Sequence, residues 1–265
     1  KKSFVFSSVI GVAGLSVSFS LFIVLVSFTA LYQIIKQKKI EVIKTDFINN
    51  MSHEFKTPIA TIGLALDSIS NIKNINNPKS ISKYVKMIRE ENHRMLSHVD
   101  GVLRISQLDK GTLPMDKKTI NLYDILKLSV NHVSLIVSNN KGQIKFDDDH
   151  NHNLMINGNK NHLTNLFINI LDNSIKYSVL PPKIQISINK SYNMVSISIK
   201  DNGIGMDERS QKLIFKKFYR LQSGNIHDVK GHGLGLTYVK KIIDLHSGLI
   251  DLKSKKGIGT TFTVS

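Results

Sequence analysis

Residues 3–35 hold no charged side chain and are rich in Val, Ile, Leu and Phe. The run exceeds the roughly 20 residues that cross a bilayer. It is also too long for the apolar core of a signal peptide. It therefore predicts a transmembrane helix within residues 1–35. Beyond it the apolar positions fall to helical spacing. Ile40, Ile43 and Phe47 lead into residues 51–59, and Ile59, Ile62, Leu66 and Ile69 continue the stripe past Pro58. Residues 74–78, NINNP, form a breaker-rich turn. Ile81, Val85, Ile88, Asn92, Met95, Val99 and Val102 then alternate steps of four and three, a coiled-coil seam with one polar position. Two antiparallel helices cannot bury such stripes alone. Residues 36–112 are thus expected to pair with a second copy as a four-helix bundle; the alternative is a monomeric hairpin packed on the next domain. DKGTLP at 109–114 ends the second helix and acts as a linker.

From about residue 121 the pattern is mixed. Helices are predicted over 122–137, 160–177 and 236–246. Short strands are predicted over 143–146, 154–156, 184–188, 195–199, 249–253 and 260–264, several with the alternation of half-buried strands. Helices on one face of a sheet make an α/β sandwich, here assigned to residues 113–265. The expected fold is a transmembrane helix, an antiparallel helical hairpin and an α/β sandwich domain.

Chemistry concentrates first at residues 51–59, MSHEFKTPI. A neutral imidazole is a good nucleophile. The carboxylate of Glu54 can orient His53 or take up its proton. Thr57 shares the helix face of His53, and Pro58 removes a backbone bond there. Alone, this could be a surface histidine on an amphipathic helix. Four further stretches follow in order: NILDNSIKYS at 169–178, DNGIGMD at 201–207, GHGLGL at 231–236 and GIGTT at 257–261. Together the five elements resemble the transmitter region of membrane sensor histidine kinases of two-component systems, over about residues 42–265.

The resemblance implies a Bergerat-type ATP-binding domain and a phosphoacceptor at His53. It singles out Asn173, then Asn169, among Asn residues that recur at steps of four from Asn157 through Asn161 and Asn165. An Asn oxygen suits a hard cation, so Asn173 is the expected Mg²⁺ ligand. Lys176 suits phosphates as a point charge, and Tyr177 lies beside it. Asp201 would accept the exocyclic amine of adenine, with Gly203 and Gly205 letting backbone pass close to the ligand. Phe215 and Phe218 are read as core, and Arg220 as a phosphate contact. Residues 221–230 occupy the place of a mobile lid. Gly231, Gly233, Leu234, Gly235 and Leu236 open a helix whose amides favour phosphate. His232 departs from the small residue usual there, and Gly257 and Gly259 close the site. Glu54 and Thr57 also match the pattern tied to the reverse, phosphatase activity. The implied cofactors are ATP and Mg²⁺. The implied partners are a response regulator receiver domain, a second copy of the chain and the lipid bilayer.

Composition sharpens this in three ways. Lys36, Lys38, Lys39 and Lys44 follow the apolar run and favour a cytoplasmic C-terminal part, as does the need for ATP. Lys1 and Lys2 at the other end weaken that charge argument; the resemblance implies a bacterial inner membrane with the catalytic part in the cytoplasm. The net charge of +16 comes from scattered lysines, read as solvated faces and attraction to the inner leaflet rather than direct nucleic-acid binding. The chain has no Cys, so it has no disulfide or thiolate zinc site. It does not begin with Met and is read as a piece of a longer protein, with any extracytoplasmic sensor upstream. The rival functions are a plain ATPase of the same fold, a non-catalytic scaffold, and a nucleic-acid-binding membrane protein.

Overall fold

A computed structural model describes residues 2–71, 77–147, 153–178, 181–191, 194–221 and 233–265. The chain divides into two compact units, residues 1–49 and 50–265. Helix α1 (Lys2–Ser70) begins in the first. Within that unit, Gly14–Val42 is long and apolar enough to cross a membrane, with a mean hydropathy of 2.1. Its large apolar side chains, Leu21 and Phe28 among them, are exposed. An apolar surface of this kind is suited to lipid contact.

In the second unit α1 continues through Pro58 without a break. Helix α2 (Pro78–Lys110) starts where Asn77 accepts hydrogen bonds from the amides of Lys79 and Ser80 and Pro78 fills the first turn. It stops at Gly111, whose left-handed φ of 66° lets its amide turn back to the last carbonyls. The predicted turn at 74–78 lies mostly outside the described residues. The stripes are only half covered within one chain. Ala65 is buried, yet Ile59 is 56 %, Leu66 51 % and Val99 42 % exposed.

The remainder is a five-stranded sheet of order β2-β4-β5-β7-β6 with helices packed on it. Its strands are β2 (Gln143–Asp147), β4 (Lys183–Ser191), β5 (Met194–Asp201), β6 (Ile250–Lys255) and β7 (Gly259–Val264). Only β2–β4 is parallel among these pairs. The alternation read from the sequence is real: Ile184, Ile186 and Ile188 of β4 and Ile197 and Ile199 of β5 point inward. Each such side chain stabilises the fold by about 1.5–3 kcal/mol.

Helices α3 (Leu122–Asn139), α4 (Lys160–Lys176) and α6 (Gly235–Leu245) supply the other half of the core. Leu126, Leu166, Phe167, Ile170, Leu171, Val239 and Ile242 are fully enclosed. The Ser129 hydroxyl donates to the carbonyls of Ile125 and Thr164, tying α3 to α4.

Two elements escaped the sequence reading. β1 (Lys118–Asn121) pairs antiparallel with β3 (Met155–Gly158), and α5 (Glu208–Gln211) is a single turn capped by Asp207. Both are too short for a periodic signal. The expectation that Phe215 and Phe218 are core residues is corrected. Ile214 is buried, both phenylalanines are half-exposed, and the stretch is a series of turns in which Phe218 has a φ of 65°.

Candidate functional site

Helix α4 turns its apolar residues to the sheet, which leaves Asn165, Asn169 and Asn173 on its other flank. These line a cavity of about 670 Å³. Asn169 donates through Nδ2 to the Asn165 carbonyl at 2.7 Å. Its Oδ1 lies 2.6 Å from where a Cβ on Gly235 would stand, so a larger residue there would push the Asn169 side chain aside. Lys176 and Tyr177 line the same cavity. Lys176 pairs with Asp172 at 2.5 Å. Burial pushes the Tyr177 phenol up, opposed by Arg220 nearby.

Asp201 sits at the end of β5, 7 % exposed. Its Oδ1 accepts from the amides of Gly203 at 2.8 Å and Thr260 at 3.0 Å, and its Oδ2 from the Ser174 hydroxyl at 3.4 Å. Burial raises its pKa above the usual carboxylate value, and the two amides and the hydroxyl pull it back. A buried acceptor facing a cavity suits a donor on a flat ligand. Ligand affinity that depends on ionised Asp201 is expected to fall as the pH is lowered, and the fall should begin above the range of an ordinary aspartate because burial raises this group. Calorimetric titration down to that range checks this.

Gly203, Gly205 and Arg220 also line the cavity, as do Gly233, Leu234, Gly235 and Leu236. Gly205 was expected to give room to a ligand. The structure shows that it also gives room to the protein: with φ at +62°, a Cβ there would collide with the Lys255 carbonyl. Gly205→Ala should cost about 3 kcal/mol in stability, readable as a lowered denaturant midpoint. Gly231, His232 and most of the expected lid lie outside the described residues. Across that interval the Phe218 amide donates to the Gly233 carbonyl at 3.0 Å.

The second wall comes from the helical hairpin. Glu54 lines the cavity, together with Arg94, His98 and Arg104 of α2. His53 and Thr57 do not line it. Both are exposed on α1, and the Thr57 hydroxyl donates to the His53 carbonyl at 3.3 Å. The Phe55 ring meets His98 edge-on with centroids 6.1 Å apart. Burial holds His98 below the ordinary histidine pKa, opposed by Glu54.

The sequence reading missed Asn165, Thr260, Tyr238 and the α2 residues. Asn165 was visible in the four-residue step, and Thr260 in the GIGTT stretch. Nothing local marks the α2 residues as cavity-lining. Among the described residues no group of three or more His, Cys, Asp or Glu could hold a metal ion.

Residues 43–111 match the family model of the His Kinase A (phospho-acceptor) domain, and residues 158–265 that of the histidine kinase-, DNA gyrase B- and HSP90-like ATPase. The chain is 35 % identical over its whole length to the sensor protein RprX of Bacteroides fragilis. It belongs to the sensor histidine kinase family. The heme sensor protein HssS of Staphylococcus saprophyticus is 31 % identical over 86 % of the chain. The chain spans about half the length of these curated relatives, 51 % and 47 %. Among solved structures, histidine kinase ThkA in complex with response regulator protein TrrA superimposes with a TM-score of 0.57 at 21 % identity, covering 83 % of this chain and 60 % of that one. That likeness supports the fold: an N-terminal apolar helix, a helical phosphoacceptor region and an α/β ATPase domain.

Proposed function

We propose that this chain is the membrane-anchored transmitter of a histidine kinase. It would phosphorylate His53 from Mg·ATP and pass the phosphoryl group to an Asp of a response regulator. The observation that carries this reading is one cavity with two kinds of wall: Asn173, Asp201 and the Gly233–Leu236 turn on one side, Glu54 on the other. Asp201 accepts the adenine amine. The amides opening α6 and Arg220 hold phosphates. In the transfer, the bond from the γ-phosphorus to its bridging oxygen breaks, a phosphorus–nitrogen bond to His53 forms, ADP leaves, and Glu54 takes the imidazole proton. Positioning and charge supply most of the rate.

Asn173 offers one side-chain oxygen and sits among groups suited to phosphates. This fits Mg²⁺, which keeps several waters and binds largely through substrate phosphates. When bound, Mg²⁺ would neutralise charge on the phosphates. Thr57 would position a water for the reverse dephosphorylation of the regulator. Exposed Ile59, Leu66 and Val99 support a homodimer that buries them in a four-helix bundle. Gly14–Val42 is long and apolar enough to anchor the chain in a membrane; on this reading that membrane is the bacterial inner membrane, with the catalytic part in the cytoplasm.

The test is incubation of the full chain in nanodiscs with γ-labelled Mg·ATP. Acid-labile, base-stable label is the expected result. ATP bound but no label taken up would favour a plain ATPase or a scaffold.

A further inference from the structure

The segment that joins α2 to β1 is pinned to the ATP-binding domain by residues that do not line the cavity. Asn159, which caps α4, makes three bonds at once. Its Oδ1 accepts from the His162 amide at 3.1 Å, and its Nδ2 donates to the Asp116 carbonyl at 3.0 Å. Its own amide donates to Nε2 of His246 at 3.0 Å. His246 closes α6, and its Nδ1 lies 2.8 Å from the Ile242 carbonyl. A carbonyl only accepts, so Nδ1 carries the hydrogen and Nε2 is the accepting nitrogen. The ring thus ties the end of α6 to the start of α4 and, through Asn159, to Asp116. It also lies against β3, where a Cβ on Gly158 would stand 3.3 Å from Nε2. Gly158 in turn pairs with Lys118 of β1, and Lys117 Nζ donates to the Leu245 carbonyl at 2.7 Å.

This arrangement admits one protonation state. A second proton would go to Nε2 and set an N–H against the N–H of Asn159, and a backbone amide cannot turn round to accept. His162 differs. Its Nε2 donates to the Pro114 carbonyl at 3.0 Å and its Nδ1 lies 2.9 Å from the Tyr238 hydroxyl. A hydroxyl can change from donor to acceptor, so that bond survives protonation. Burial holds His246 below the ordinary histidine pKa; the bond to Ile242 opposes this, and Lys117 of the segment and His162 of α4 lower it further. β3 meets the ring through uncharged Gly158. The carboxylates of the segment and of α6 are paired elsewhere, Asp116 with Lys118 at 3.2 Å and Asp244 with Lys240 at 2.9 Å.

We propose that His246 is an acid-sensitive latch: a proton on Nε2 breaks its bond to Asn159 and frees the segment at 114–118, so that the ATP-binding domain is held less firmly to the end of α2. The slower phosphorylation that follows rests on phosphoryl transfer to His53; the latch itself does not. The neutral ring is the latched form. Its contribution is complete well above about pH 6.5, the ordinary histidine value, and is lost as the pH falls below that toward the lowered value of the latched ring.

One net hydrogen bond keeps the latch closed about five times as often as open. Lowering the pH from about 7.5 to about 5.5 multiplies the open form by up to about tenfold. In the full chain in nanodiscs, hydrogen-exchange protection of Asn159 and of residues 114–118, corrected for the intrinsic pH dependence of exchange, should therefore fall about threefold between these pH values. That of β4 and β5 should stay constant. In His246→Gln the side-chain oxygen supplies the acceptor and takes up no proton in this range, so protection should not change with pH. At saturating Mg·ATP, the phosphorylation rate of the unaltered chain divided by that of His246→Gln should drop about twofold over the same interval. Asp201 and His53 are present in both chains, so their own titration cancels in the ratio. ATP affinity at any one pH should agree between the two chains within about twofold, since His246 does not line the cavity. Protection that persists at the lower pH in the unaltered chain overturns the latch, and so does an equal fall in His246→Gln. If Gln loosens the segment at both pH values, loss of the pH dependence still assigns the titrating group to His246. A constant rate ratio alongside falling protection overturns the latch's control of transfer. A chain that takes no label at either pH, yet loses protection as described, upholds the latch while phosphotransfer to His53 fails.

Discussion

His53→Gln is expected to abolish acid-labile labelling from γ-labelled Mg·ATP while leaving ATP affinity unchanged. His53 is exposed on α1 and does not line the cavity. Its replacement removes a nucleophile, not a packing contact. Gln is close to His in length, sits well in a helix, and at an exposed position should change stability by no more than about 0.5 kcal/mol. The Thr57 hydroxyl bonds the backbone carbonyl of residue 53 rather than its ring, so the local helix persists. An amide forms no phosphorus–nitrogen bond under these conditions, and the signal should fall by at least about 10³-fold, as for loss of any essential nucleophile. The informative failure is residual acid-labile label. His98 is then the rival acceptor. It lines the cavity, and burial keeps it below the ordinary histidine pKa, hence neutral and nucleophilic. Label lost only in His98→Gln would move the phosphoacceptor from α1 to α2.

The contrast between these two histidines marks what the chain's pattern could reveal. Chemistry written in contiguous residues was legible. Glu54 of MSHEFKTPI, Asn169 and Asn173 of α4, and Gly203, Gly205, Gly233 and Gly235 line one cavity, and each was visible because its motif lies on one local element. The helical stripes and the alternation of β4 and β5 were legible for the same reason, since periodicity reports burial directly. The second cavity wall was not. Arg94, His98 and Arg104 occur in an ordinary amphipathic helix, and only the fold of the chain brings them beside Asn173. Tyr238 reads as one more apolar position of α6 until its hydroxyl is seen against His162. β1 and α5, of four residues each, are too short to show a period. Gly205 was noticed for its ligand, yet its need for glycine also comes from Lys255, fifty residues away in sequence.

Asp201→Asn is expected to weaken ATP binding about 10²–10³-fold and to leave the domain folded. The substitution is nearly isosteric. Its remaining oxygen can still accept from the amides of Gly203 and Thr260, which meet a single carboxylate oxygen in the native domain. The new NH₂ replaces the oxygen that accepts from Ser174, whose hydroxyl can turn and accept instead. Burial already disfavours the charged carboxylate, so removing that charge spares the fold a desolvation cost. What changes is the group offered to the ligand. An acceptor becomes a donor, and the exocyclic amine of adenine, itself a donor, is left facing it. A buried unpaired donor costs about 1–3 kcal/mol, and more where a charged acceptor is lost, which gives the stated loss. A purine with a carbonyl at that position should lose far less. Titration of the variant with ATP and with GTP therefore reads the role of Asp201 directly: ATP should fall sharply and GTP little. Equal small losses for both would make Asp201 a brace that ties Gly203 to Thr260 of β7 and would place the adenine elsewhere in the cavity.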